Sequence, residues 1–108
     1  VNAHGTATLI NDSSESNALK RVFSESLPPY SSTKAFTGHT LAAAGSIEAV
    51  FSILSLQEQC MFPSLNCEQP IEEIAAPVRE VESASLNHIL SNSLGFGGNS
   101  STVILSKP

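Results

Sequence analysis

A stretch near the middle of the chain, residues 41–59, constrains the fold most, because it is apolar on almost every side of a helix. Leu41, Ala42, Ala43, Ala44, Ile47, Val50, Phe51, Ile53, Leu54 and Leu56 leave no wide polar face. Such a helix is expected to be buried on most sides, inside a layered domain. Glu48 is the only charged residue between His39 and Leu56. A carboxylate in that setting needs a partner if it is buried, and Lys34 is the natural candidate. The spacing of Glu48, Ser52, Ser55 and Gln59 also reads as a thin solvated edge, and the pattern alone does not choose between the two.

The rest of the chain supplies layers for this helix to pack against. At 108 residues it is one domain at most, with room for a modest core. Val1, Asn2 and Ala3 read as the end of a strand that begins before the first residue, so the chain is read as an excised piece. Asp12 followed by Glu15 is a capping-box pattern and predicts a helix start. Ala18, Leu19, Val22 and Phe23 give that helix an apolar stripe, and Pro28-Pro29 closes the region. Residues 30–35 are expected to be extended. Residues 63–77 are broken by Pro63, Pro70 and Pro77, with a short strand near residues 62–65. From residue 85 the period changes to two. Residues 88–93 and 101–106 predict strands of a hairpin turned by Gly95-Phe96-Gly97-Gly98. The run Val103, Ile104, Leu105 is expected to be covered on both faces. The fold class is α/β with a mixed sheet.

Composition narrows the functional classes. The formal net charge is −5 and the five basic residues, Lys20, Arg21, Lys34, Arg79 and Lys107, are scattered. No basic stripe is available to neutralise phosphates, so nucleic acid is not an expected partner. No apolar run suggests a membrane span, and no charged leader precedes an apolar core. Cys60 and Cys67 lack metal-knuckle spacing and are read as reduced thiols, so the expected location is cytoplasmic and no metal is expected.

Three short stretches carry the chemistry. Val1-Asn2-Ala3-His4-Gly5-Thr6-Ala7-Thr8 puts a histidine at a strand end, where a rigid scaffold meets an open loop. Thr6 and Thr8 alternate there, so both hydroxyls are expected on one side; local turn hydrogen bonding is the plainer use for them. Ser32-Thr33-Lys34-Ala35-Phe36-Thr37-Gly38-His39 places a second histidine at the start of the long helix. The positive end of a helix dipole keeps an imidazole neutral, able to donate one N–H to a developing oxyanion. Asn92-Ser93-Leu94-Gly95-Phe96-Gly97-Gly98-Asn99 adds a turn whose glycines permit close approach of another chain. His88 has no motif around it and is read as structural or superficial.

In this order, the three stretches resemble the C-terminal half of a β-ketoacyl-acyl-carrier-protein synthase, a condensing enzyme of the thiolase fold. The resemblance runs over nearly the whole chain, and it makes residues 1–108 the C-terminal domain of such an enzyme. It implies that His4 and His39 are catalytic, with Lys34 and Glu48 a paired part of the same machinery. Thr6 and Thr8 would bind the phosphopantetheine arm of the carrier. The backbone N–H of Phe96 would help build an oxyanion hole, and its ring would gate the acyl pocket. The nucleophilic cysteine would lie in the N-terminal half, so this chain alone is expected to be inactive. The implied reaction is a decarboxylative Claisen condensation of an enzyme-bound acyl group with a malonyl group on acyl carrier protein.

The resemblance also implies partners: the carrier, the N-terminal half, and a second subunit in a homodimer or heterodimer. Phosphopantetheine would arrive on the carrier, so no resident cofactor is expected. Leu9 and Ala7 depart from common family residues without removing a reactive group, and Leu94 and Asn99-Ser100-Ser101 depart from them at the far wall of the implied pocket. A non-catalytic chain-length-factor-like subunit is the main alternative; retention of both histidines and the lysine argues against it. A thiolase-type enzyme would need a reactive cysteine near the glycine turn, and none is present. A stand-alone binding domain is the remaining alternative, and the truncated-looking start speaks against it.

Overall fold

In a computed structural model that describes residues 1–108, the two ends of the chain meet in one sheet. The elements in order are α1 (Leu9–Phe23), α2 (Lys34–Thr37), α3 (Ala44–Glu58), β1 (Cys60–Met61), β2 (Glu82–Ser83), β3 (His88–Leu94) and β4 (Ser100–Ser106). β3 and β4 form the expected antiparallel hairpin, with His88 opposite Ser106 and Leu94 opposite Ser100. Asn2 makes parallel bridges to Ser91 on β3 and to Ser31 on its other side. The spatial order Ser31, Asn2, β3, β4 is therefore a mixed sheet. α3 packs against β3 and β4, and Gly45 permits the approach, because a Cβ there would stand 3.1 Å from Ser93 Oγ.

Local chemistry moves several boundaries. α1 begins at Leu9, not beyond Asp12; Thr8 is its N-cap and accepts from the Asn11 N–H. Thr8 is extended and carries a free hydroxyl one turn earlier than Asp12, which is what an N-cap requires. Glu15 is thereby freed from capping. The chain is extended only around Ser31, since residues 34–37 turn helical as α2. The short strand lies at Cys60–Met61, paired with Glu82–Ser83, two residues before the expected place, because Gln59 takes a left-handed conformation that ends α3.

α3 reverses the expectation of a helix buried all round. Its buried residues are Ala44, Glu48, Ser52, Ser55 and Leu56, whereas Val50, Ile53 and Leu54 are exposed. α1 repeats the pattern: it buries Glu15, Ser16 and Leu19 and leaves Val22 exposed. Val103 and Ile104 on β4 are also exposed, not covered on both faces. The reason is what each helix meets. Asn2, Thr33, Lys34 and Ser91 are all buried, so the seam beneath α3 is polar and selects its polar stripe.

Candidate active site

His4 is placed by the sheet. The Asn2 N–H donates to Leu90 O (2.8 Å) and the Ala3 N–H to Ser31 O (2.7 Å), so the next residue leaves the sheet at a fixed point. Gly5 then turns with φ +49°, and a Cβ there would lie 2.4 Å from Ser32 Cβ, so only glycine fits. Ala7 is also left-handed, with φ +58°. The loop is therefore coiled and not extended. Thr6 and Thr8 still face one another, with their hydroxyls 3.3 Å apart.

His39 is placed differently from the expectation. The N-cap of α3 is Ala43, and a short 3-10 turn, Leu41–Ala43, precedes the helix. His39 caps that turn instead: its Nδ1 accepts from the Leu41 N–H at 3.3 Å. The reach of an imidazole suits an N–H two residues ahead better than one five residues away. His39 is exposed, whereas His4 is only 5% exposed. Their rings nonetheless meet edge to face, with centroids 5.3 Å apart and planes at 87°.

Behind the histidines lies a buried ion pair. Lys34 Nζ donates to Glu48 Oε1, both side chains are almost fully buried, and the same nitrogen stands 3.2 Å from His4 Nδ1. The stripe containing Glu48 is thus buried and partnered, and not a solvated edge. Asn2 Nδ2 donates to the Glu48 carbonyl (3.1 Å) and to Ser52 Oγ (3.3 Å), tying the sheet to α3 beside the pair. Glu48 Oε2 is buried without a partner. Desolvation therefore dominates, and burial pushes the Glu48 carboxyl above its usual range although Lys34 opposes the change.

These partners decide which nitrogens carry protons. The Lys34 ammonium only donates, so His4 Nδ1 must accept from it, leaving the hydrogen of the neutral ring on Nε2. His39 Nδ1 accepts from a backbone N–H, so its hydrogen also lies on Nε2. Burial, followed by the charge of Lys34, lowers the His4 pKa, while Glu15 opposes the change and His39 adds to it. The site therefore offers two neutral imidazoles, each with one N–H donor available.

A pH dependence follows from the buried ring. His4 has an ordinary pKa of 6.5 when unfolded and a lower one when folded. Just below 6.5 the unfolded chain binds the extra proton, so stability falls as the pH is lowered through that window. Glu48 acts in the opposite sense, from its ordinary 4.5 upward, because the folded state holds its proton longer. Subtraction isolates the histidine: between about pH 7 and about pH 5, the native chain should lose more unfolding free energy than His4→Gln. Equal losses in denaturant titrations would assign the acid sensitivity elsewhere.

A cavity of about 850 Å³ opens beside the pair of rings, lined among others by Gly5, Thr6, Lys34, His39 and Cys67. Thr6 faces it, but Thr8 does not line it and uses its hydroxyl as the α1 cap. Cys60 and Cys67 are both free thiols. Phe96 is the expected site residue that the structure does not bring in. It sits on the hairpin turn, 96% exposed, and does not line the cavity. The turn follows the C-terminal end of β3, the end toward which the parallel Asn2–His4 segment also runs, but nothing in the chain packs on the Phe96 ring. His88 is superficial as expected, its Nδ1 2.9 Å from Ser106 Oγ.

Glu15 was not legible as a site residue. It is 5% exposed, and its two oxygens accept from the backbone N–H groups of His4 (2.8 Å) and Gly5 (3.0 Å). Asn92 Nδ2 (3.2 Å) and Asn11 Nδ2 (3.4 Å) complete its partners. The only hint in the sequence was an acidic residue set among the polar Asn11-Asp12-Ser13-Ser14, eleven positions after His4. Its capping-box reading fitted that spacing equally well.

Comparison with known proteins places this geometry in context. The family described as "Beta-ketoacyl synthase, C-terminal domain" matches residues 1–68. A 3-oxoacyl-[acyl-carrier-protein] synthase 1 from Haemophilus influenzae is 41% identical over 111 residues, covering 99% of this chain and 27% of that protein. The ishigamide ketosynthase/chain length factor superposes with a TM-score of 0.94 at 28% identity, over 99% of this chain and 27% of its own. A type II PKS acyl-carrier protein in complex with its ketosynthase bound to the hexaketide matches with a TM-score of 0.90 and 36% identity. That match covers 97% of this chain and 27% of the other. The chain thus spans about a quarter of the length of the curated relatives it matches. The thiolase-like fold expected from the motifs is the fold of these neighbours. No helix is long and apolar enough to cross a membrane.

Proposed function

The chain belongs to the β-ketoacyl synthase family, through its C-terminal domain, and from that premise we propose that it supplies the enolate-stabilising half of a condensing site. The observation that carries this reading is the pair of imidazoles 5.3 Å apart, each held with its hydrogen on Nε2. Two neutral donors converging on one thioester oxygen are what a decarboxylating malonyl group requires. The bond between the α-carbon and the carboxylate breaks and carbon dioxide leaves. The electron pair moves onto the thioester oxygen, where His4 and His39 would hold it. The enolate carbon then attacks an acyl thioester on a cysteine outside this chain, and the cysteine thiolate departs. Neither histidine needs to become charged.

The Lys34–Glu48 pair serves this chemistry by keeping His4 Nδ1 an acceptor. Thr6, on the cavity wall, is the residue proposed to meet the phosphopantetheine arm, which would arrive with the substrate. The solved carrier–ketosynthase complex among the relatives supports an acyl carrier protein as the partner, and a ketosynthase/chain length factor relative supports a second subunit. A chain-length-factor role is the competing reading. It gives no reason for two facing imidazoles and a buried ion pair directed at one of them.

A chimera tests the proposal. This chain replaces the matching segment of the Haemophilus influenzae synthase, whose remaining three-quarters provides the rest of the enzyme. Incubation with an acyl donor and malonyl-carrier should yield the 3-oxoacyl product. A folded chimera that accepts the acyl group but releases no 3-oxoacyl product would refute the catalytic reading and favour the chain-length-factor role.

A further inference from the structure

We propose that Glu15 is a positioning residue for His4. Its carboxylate clamps the His4–Gly5 backbone on one side and the β3–β4 hairpin, through Asn92, on the other. The clamp rests on the reading of His4 as an oxyanion donor, but its geometry stands by itself. All four of its partners are N–H donors: His4 and Asn92 on Oε1, Gly5 and Asn11 on Oε2. Only a carboxylate satisfies that set, because it accepts at both oxygens and donates at neither. A glutamine would turn an NH2 group toward two other donors. The linkage continues outward, since Asn92 Oδ1 accepts from Thr102 Oγ1 on β4 at 2.7 Å. A chain of hydrogen bonds thus runs from the hairpin, whose turn carries Phe96, through α1 to the peptide of His4.

The position of the clamp matters because the peptide of His4 is the first one beyond the sheet. The neighbouring Ala3 N–H is fixed by Ser31, but on the far side Gly5 and Ala7 are both left-handed and no strand holds them. Glu15 replaces the missing strand partner with a charged acceptor, and charge-assisted bonds are about twice as strong as neutral ones. The His4 ring touches Lys34 and His39, while Glu15 holds its peptide. Glu15 is the only one of the three whose charge favours a proton on that ring.

The test uses the 108-residue chain and two variants, read by NMR titration of the His4 ring and by amide hydrogen exchange. Glu15→Gln should lower the His4 midpoint below that of the native chain, because the attractive charge is lost while the ring stays buried. It should also speed exchange of the His4 and Gly5 amides by at least about tenfold, the loss of a bond to a charged acceptor. A midpoint that stays put or rises toward 6.5, as it would if the substitution merely loosened the fold and wetted the ring, overturns the proposal. Should Glu15→Gln fail to fold, Glu15→Asp decides, since it keeps the charge and shortens the reach. Faster exchange at His4 and Gly5 with the native midpoint supports the clamp; native exchange rates overturn it. None of these readings depends on turnover. An inactive chimera would therefore remove the proposed function and leave the clamp to be judged separately.

Discussion

Lys34→Ala should destabilise the chain by about 3–5 kcal/mol, the cost of stranding one partner of a buried ion pair. Glu48 is 2% exposed and is the residue stranded. Its Oε2 already lacks a partner, so removing Lys34 leaves the whole carboxylate without a charged one. The group can take up a proton, which limits the loss, but the link that orients His4 Nδ1 goes with Lys34. The double variant Lys34→Met with Glu48→Gln should recover much of the loss, because it removes both charges together. Urea unfolding of the three variants measures this directly. A loss below about 1 kcal/mol for Lys34→Ala, typical of a surface pair, would contradict the burial argument.

The largest kinetic effect is expected at the histidines. In the chimera, His4→Ala and His39→Ala should each slow malonyl decarboxylation by about 10²–10³-fold, the cost of losing one preorganised oxyanion donor. His39→Ala is the cleaner change. The ring is exposed and caps only a 3-10 turn, so its removal should leave the melting temperature nearly unchanged. His4→Ala removes a buried ring and an acceptor for Lys34, so some stability should go with it. Rates of carbon dioxide release, taken with melting curves for each variant, separate the two contributions.

What could be read from the residues was what local rules govern. The β3–β4 hairpin followed from period-two alternation around glycines, and the bounds of its strands match to within one residue. The Lys34–Glu48 pair was legible only with the family resemblance: a lone charge in an apolar helix calls for an opposite one if buried, but the spacing of Glu48, Ser52, Ser55 and Gln59 read equally well as a solvated edge. The faces of the helices were not legible. Hydrophobic periodicity assumes that apolar residues face inward, yet α3 turns Glu48, Ser52 and Ser55 inward because the surface beneath them carries Asn2, Thr33 and Ser91. Those three come from remote parts of the chain, and only the assembled sheet brings them together. Glu15 was misread for the same reason. Its four donors lie on the His4 loop, in the first turn of α1 and on β3, and a local capping pattern described the same residue equally well. Phe96 was expected at the acyl pocket only from the family resemblance, and in this chain its ring is exposed.

The central claim is that His4 and His39 act on the same oxygen, and a double-mutant cycle on decarboxylation tests it most directly. The two rings are 5.3 Å apart, well inside the range at which substitutions couple. If both donors serve one oxyanion, the His4→Ala/His39→Ala chimera should decarboxylate only slightly more slowly than the worse single variant, far short of the product of the two losses. Losses that multiply in full, in variants that remain folded, would mean that the two imidazoles work independently and would contradict the shared site.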